Sequence, residues 1–259
     1  AGDTLQLVLG GIHNNVVDTV TGSNNCSGVA GNSDTCFVRY TTYAANGTTV
    51  VDTAVATYTV INATTVTATV DPSLTFTVGG VAASATNDGN TTSVTSTSTT
   101  IPFANLTVGT AKTAQQSLAV ATNAQNGYTV SHKFTTTANT QIMAGTYAGN
   151  VISPFTGAGG TFSWGTPGVW SLPNGTAKNV NSAWIGMRTN NAGVSGFGTT
   201  TFFAPPAYNT SAIGNSVMVS AGPDNGTTLT YVTYQMAANS YQPSDVYTGT
   251  MVYNVVPSY

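Results

Sequence analysis

Apolar side chains recur at every second position in short runs along this chain, and each run is closed by Gly, Asn, Asp or Pro. Leu5, Leu7 and Leu9 alternate with Gln6 and Val8 and are followed by Gly10-Gly11-Ile12. Further runs cover Val50–Ile61, Thr64–Val70, Leu74–Val78, Ser93–Ile101, Ser117–Ala121, Tyr128–Phe134, Val217–Val219, Leu229–Met236 and Tyr247–Val256. A two-residue period places alternate side chains on opposite faces of a strand, so these runs predict strands, and no long helical period competes with them. Short strands separated by turn residues at regular intervals describe an all-β fold, here a β-sandwich of jelly-roll-like form.

Four Asn-Gly pairs, at Asn46, Asn126, Asn174 and Asn225, supply residues that tolerate positive φ in tight turns. Gly222-Pro223-Asp224-Asn225-Gly226, between Val217–Ser220 and Thr228–Met236, predicts a hairpin. Ser93–Ile101 reads as an exposed polar strand. Residues 141–210 hold all three Trp and five of the nine Phe among many Gly and Pro. That stretch predicts long aromatic, Gly-rich loops packed by their own rings. Asp71-Pro72 marks a boundary, giving a candidate N-terminal donor strand at 1–12, a β segment at 13–70 and a main sandwich at 71–259.

Composition explains why strands win. Thr fills 49 of 259 positions, and Glu is absent. Thr, Val, Tyr and Phe suit a pleated surface, while the strong helix formers are scarce. Five basic and eight acidic side chains give a net charge of −3, so dispersed cations leave no basic footprint for nucleic acid. Most Asp sit in turns, as do Asp34, Asp71, Asp88 and Asp224, where Asp caps its own backbone. His13 and His132 lack zinc-ligand spacing. Asn87-Asp88-Gly89-Asn90 offers too few carboxylates for a tight calcium site. Gly193-Val194-Ser195-Gly196 lacks the last glycine of a nucleophile elbow. The expectation is a protein without catalytic residues, metal or cofactor.

Other features bear on location. Ala1-Gly2-Asp3 without an initiator Met reads as a mature end left after removal of an export signal. No apolar run is long enough for a membrane-spanning helix. In an exported chain, Cys26 and Cys36 are expected to form one disulfide across a Gly/Ser/Asn-rich loop; a reduced pair or half of a metal site would lack neighbouring ligands. Eight Asn-x-Ser/Thr sequons leave room for attached glycans. Lys112, Lys133 or Lys178 would serve an internal isopeptide bond if a buried Asp stood beside one of them.

Three segments carry a resemblance: Val70–Val78, Ala119–Val130 and the ending Tyr247–Pro257. They resemble Thr-rich exported surface proteins of bacteria, chiefly of the candidate phyla, and the ending is similar to the last strand of spore-coat-U-like and WxL-like domains. The resemblance implies a structural or adhesive role at the cell surface and no catalytic residues. Trp170-Ser171-Leu172 is a Trp-x-Leu triplet away from the C-terminal region, so a WxL signature proper is missing.

These readings converge on an extracellular structural subunit. Leu5, Leu7, Leu9 and Ile12 are the candidate polymerisation strand: inserted into a groove of the next copy, they would build a pilus-like or matrix filament by head-to-tail addition. The partner is then the chain itself. The alternatives are a surface-layer array and a glycan-binding adhesin whose candidate contacts are Trp164, Trp170 and Trp184, since flat rings stack on sugar faces.

Overall fold

A computed structural model describes residues 19–22, 33–44, 46–61, 65–135, 141–157, 159–208 and 213–259. Leu5, Leu7, Leu9, Ile12 and Cys26 lie outside them. The chain divides into two compact units, Ala1–Val70 and Asp71–Tyr259. All regular structure among the described residues is strand, and none of them forms a helix long and apolar enough to cross a membrane.

In the first unit, β1 (Thr19–Gly22), β2 (Ser33–Tyr43) and β3 (Val50–Ile61) form an antiparallel sheet in that order. The β2–β3 turn is the tight turn that Asn46-Gly47 predicts. The Asn46 side-chain oxygen accepts the Thr48 and Thr49 N–H groups at 3.1 and 3.0 Å, and Gly47 takes φ +69°. Cys36 lies on β2, opposite Tyr58. On β3, the edge of this sheet among the described residues, Val50, Val51 and Val55 are exposed.

The second unit runs through β4 (Leu74–Gly80), β5 (Thr86–Asn87), β6 (Asn90–Thr91), β7 (Lys112–Thr122), β8 (Tyr128–Phe134), β9 (Met143–Gly145), β10 (Val151–Pro154) and β11 (Gly168–Val169). It continues through β12 (Ala183–Thr189), β13 (Phe202–Phe203), β14 (Asn215–Ser220), β15 (Asp224–Asn225), β16 (Thr230–Ala238), β17 (Tyr247–Thr248) and β18 (Met251–Pro257). The large sheet has the order β4-β7-β16-β12-β10-β9-β17, with β15 pairing the end of β7 on the side opposite β4. Its pairs are antiparallel except β10–β12. The small sheet has the order β14-β8-β18.

Alternation decides which faces meet. Ala114, Leu118 and Val120 of β7, Ile185 and Met187 of β12, and Val232, Tyr234 and Met236 of β16 point to one side of the large sheet. They share a core with Tyr128, Val130 and Phe134 of β8 and Val217 and Met218 of β14. The opposite face of the large sheet carries Trp184, Gly186 and Arg188 on β12, level with Ala237, Gln235 and Thr233 on β16. Loops cover this face: Phe155, Phe203, Phe162 and Trp170 form a second apolar cluster around Trp184. Gly186 is required there, because a Cβ would stand 2.8 Å from the Trp170 ring and 3.2 Å from Phe155.

The expected strands over Val50–Ile61 and Tyr128–Phe134 form with those bounds. Several expectations fail for identifiable reasons. Gly222–Gly226 is not a hairpin: β14 pairs with β8 and β16 with β7 and β12, so the turn passes between sheets. Asn126-Gly127 likewise joins strands of different sheets. Ser93–Ile101 contains no strand, because its hydroxyl groups take over the backbone: Ser96 Oγ donates to the Gln115 carbonyl and accepts the Val81 N–H, and Thr97 closes a turn with Thr100. Residues 65–70 form no strand, and Gly249-Thr250 splits Tyr247–Val256 into β17 and β18. The region 141–210 contains β12, every residue of which is buried.

Candidate functional site

Among the described residues, the second unit leaves the β18 edge of its small sheet unpaired beside an opening into the core. Among those residues β18 pairs only with β8, Met251 opposite Phe134 and Pro257 opposite Tyr128. Phe134 donates its N–H to Ala207, away from β18, whereas Thr135 donates to Thr250. Alternation along an antiparallel ladder therefore turns Lys133, Ser131 and Thr129 toward β18, where they bond Val252, Asn254 and Val256. The N–H and C=O groups of Met251, Tyr253 and Val255 face the other way. Pro257, which has no N–H, ends this row. The side chains of Met251, Tyr253 and Val255 pack against the core.

Next to this edge lies a groove of about 600 Å³. One wall is the segment 98–103, the other is 247–251 with Tyr253, and the floor includes Phe134, Met143, Ile185 and Tyr234. Among the described residues no charged side chain lines it. Two contacts from β7 hold the first wall: Gln116 donates to the Thr97 carbonyl at 2.8 Å and the Lys112 ammonium to the Phe103 carbonyl at 3.0 Å. At the floor, the Tyr234 and Tyr253 hydroxyls stand 2.6 Å apart, and Tyr253 donates to Gln116 at 3.1 Å. Burial pushes both phenols above the usual tyrosine range, so both keep their protons as hydrogen-bond donors.

His132 lies behind the Met251 side chain. Its Nε2 is 3.2 Å from the Met251 sulfur, its Nδ1 has no partner among the described residues, and Phe134, Tyr234 and Tyr253 surround the ring at 5.0–5.6 Å. It is wholly buried, and burial alone drives its pKa down to about 3. The ring is a neutral core side chain. Its place follows from parity: Tyr128, Val130, His132 and Phe134 are the inward positions of β8.

Arg188 is a buried ionisable group that sequence reasoning missed. It is 2% exposed, and its guanidinium lies 2.7 Å from the carboxylate of Asp88. Asp88 and Gly89, with φ +49° and +66°, make the two-residue turn joining β5 to β6. Asp88 is thus the turn former its neighbours predict and also the counter-ion of a buried cation. The same hairpin is held to the sheet by Gln115, which exchanges hydrogen bonds with Asn87 and donates to Thr233.

The three tryptophans do not form a flat platform. Trp184 is fully buried, meets Phe155 edge-on at 5.4 Å and donates its ring N–H to the Ser171 carbonyl at 3.0 Å. It cannot contact a glycan, because β12 is a central strand whose outer face is roofed by loops. Trp170 stacks on Phe155 at 4.8 Å, so one ring face is occupied, and Trp164 sits apart against Phe197 at 4.7 Å. An open depression of about 760 Å³ at the far end of β7 is lined by small polar residues including Ser73, Thr75 and Asn123, with Asp224. That carboxylate already accepts the Tyr128 hydroxyl at 2.8 Å. Among the described residues no three His, Cys, Asp or Glu side chains gather in a metal-binding group. Comparison with described protein families, with curated proteins and with solved structures finds no match.

Proposed function

We propose that this chain is an extracellular structural subunit that polymerises head-to-tail, its N-terminal strand completing the next copy to give a pilus-like or matrix filament. In this reading the second unit is a jelly-roll-like β-sandwich with one strand position open. The observation that carries it is the β18 edge. Natural sheets protect their edges with lysines, inward charges or covering loops. β18 has no charged residue from Met251 to Pro257, and Pro257 at its end withholds an N–H from that edge. The scarcity of charge over the whole chain weakens repulsion between copies in the same direction. Export, by cleavage of a signal segment, is part of the same proposal, as is the Cys26–Cys36 disulfide.

The exposed valines on the edge strand β3 favour a second reading, lateral contacts in a surface-layer array. The adhesin reading loses Trp184 to the interior. Replacing Leu7 in the full chain by Asp tests the proposal, since a carboxylate carried into an apolar groove costs several kcal/mol. L7D is expected to stay folded and to remain monomeric in sedimentation while the unchanged chain forms fast-sedimenting polymers. Polymers of L7D matching those of the unchanged chain would rule out donation by this strand.

A further inference from the structure

We infer that the groove between 98–103 and 247–253 is the receiving site for that strand, with Leu5, Leu7 and Leu9 of a second copy level with Met251, Tyr253 and Val255. The inference rests on the strand-donation reading and adds the place and the register. Three observations bear on it. Among the described residues, the β18 edge has unpaired backbone groups at three successive alternate residues and is then closed by Pro257. The strand of matching period carries three leucines at alternate positions, followed by Gly10-Gly11. Backbone and side-chain parity also agree, because the β18 residues with outward backbone groups are those whose side chains point to the core.

Residues level with one another on adjacent strands share a face. A strand bonded to this edge in the stated register therefore directs the leucines level with Met251 and Tyr253 at the apolar floor made by Phe134, Met143, Ile185 and Tyr234, and the one level with Val255 to the core side of the same sheet beyond it. A slip of one residue would present Gln6 and Val8 to the floor and turn the leucines to solvent. Charge fits as well: no residue from Thr4 to Ile12 is charged, and none lining the groove is. Recognition would consist of main-chain hydrogen bonds plus alternate pockets, which is how an edge strand selects an added one.

Photoleucine, a diazirine analogue close to leucine in shape, placed at position 7 of the full chain tests the site. Equal amounts of isotopically light and heavy protein are mixed before assembly, irradiated, and the adducts mapped by mass spectrometry. Light–heavy adducts at residues 98–103 or 247–253 are expected to dominate. Polymers whose adducts fall on other surfaces would overturn the groove while leaving strand donation standing. Adducts only within single copies would place the strand in its own groove and overturn exchange between copies. Absence of polymers would overturn the donation reading and the groove with it. Photoleucine at position 5 provides the second reading of register: its adducts should shift along β18 by about two residues relative to position 7, and coincident adducts would refute the stated alignment.

Discussion

Acidification should expose the buried imidazole of His132 as a stability switch, in a pH window that composition keeps unusually clean. Its pKa falls to about 3 in the folded chain, against about 6.5 when unfolded. The unfolded state therefore binds the proton more readily at every pH between these values. The stabilisation is complete above the unfolded value and is lost as pH falls through 6.5 toward the folded value. Linkage gives a slope near 1.4 kcal/mol per pH unit once the unfolded ring is protonated, or about 2 kcal/mol between about pH 7.5 and about pH 5. With no Glu in the chain, carboxylates contribute little to that interval, since Asp titrates near 4. The assay is urea unfolding followed by tryptophan fluorescence, which reports the burial of Trp184. It compares the chain with its H132F variant at both pH values, both carrying L7D so that assembly does not enter. His13 contributes equally to the two arms. The reference chain should lose about 2 kcal/mol more than H132F over the interval. Equal losses would refute the reasoning, showing that the ring is either hydrated or already charged in the fold.

Two further perturbations test the packing on the other face of the large sheet. Gly186→Ala should cost about 1–3 kcal/mol in urea unfolding, because the added methyl must displace the Trp170 ring 2.8 Å away; a neutral result would mean the roof over β12 yields freely. Asp88→Asn should cost about 3 kcal/mol or more by leaving the Arg188 charge buried and unpaired, whereas Arg188→Met should cost less, since the remaining carboxylate is 22% exposed. The reverse order would contradict the assignment of the burial penalty to the guanidinium.

How much of this was legible depends on whether the signal was local. β3 was readable from its many β-branched residues, and β8 from a face that alternates cleanly through Tyr128, Val130, His132 and Phe134. β7 extends beyond its apolar run to Lys112 because Gln115 and Gln116 are buried through their amides, and hydropathy does not register a satisfied amide. β12 has no period to find: both its faces are covered, one by the shared core and the other by Trp170 and Phe155, so it looked like loop. Arg188 was hidden for the same reason. Asp224-Asn225-Gly226 was recognised correctly as turn chemistry. Its flanking strands were assigned to each other wrongly, because pairing across sheets depends on partners far along the chain. The groove was not legible at all. It arises where 98–103 and 247–253 meet, and only the alternation of Leu5, Leu7 and Leu9 hinted that something should fill it.

Electron microscopy of the purified full chain, alongside a chain lacking residues 1–12, tests the central claim most directly. Strand donation predicts unbranched filaments one subunit wide from the full chain and only folded single particles from the truncated one. Single particles from both, or identical filaments or sheets from both, would contradict it.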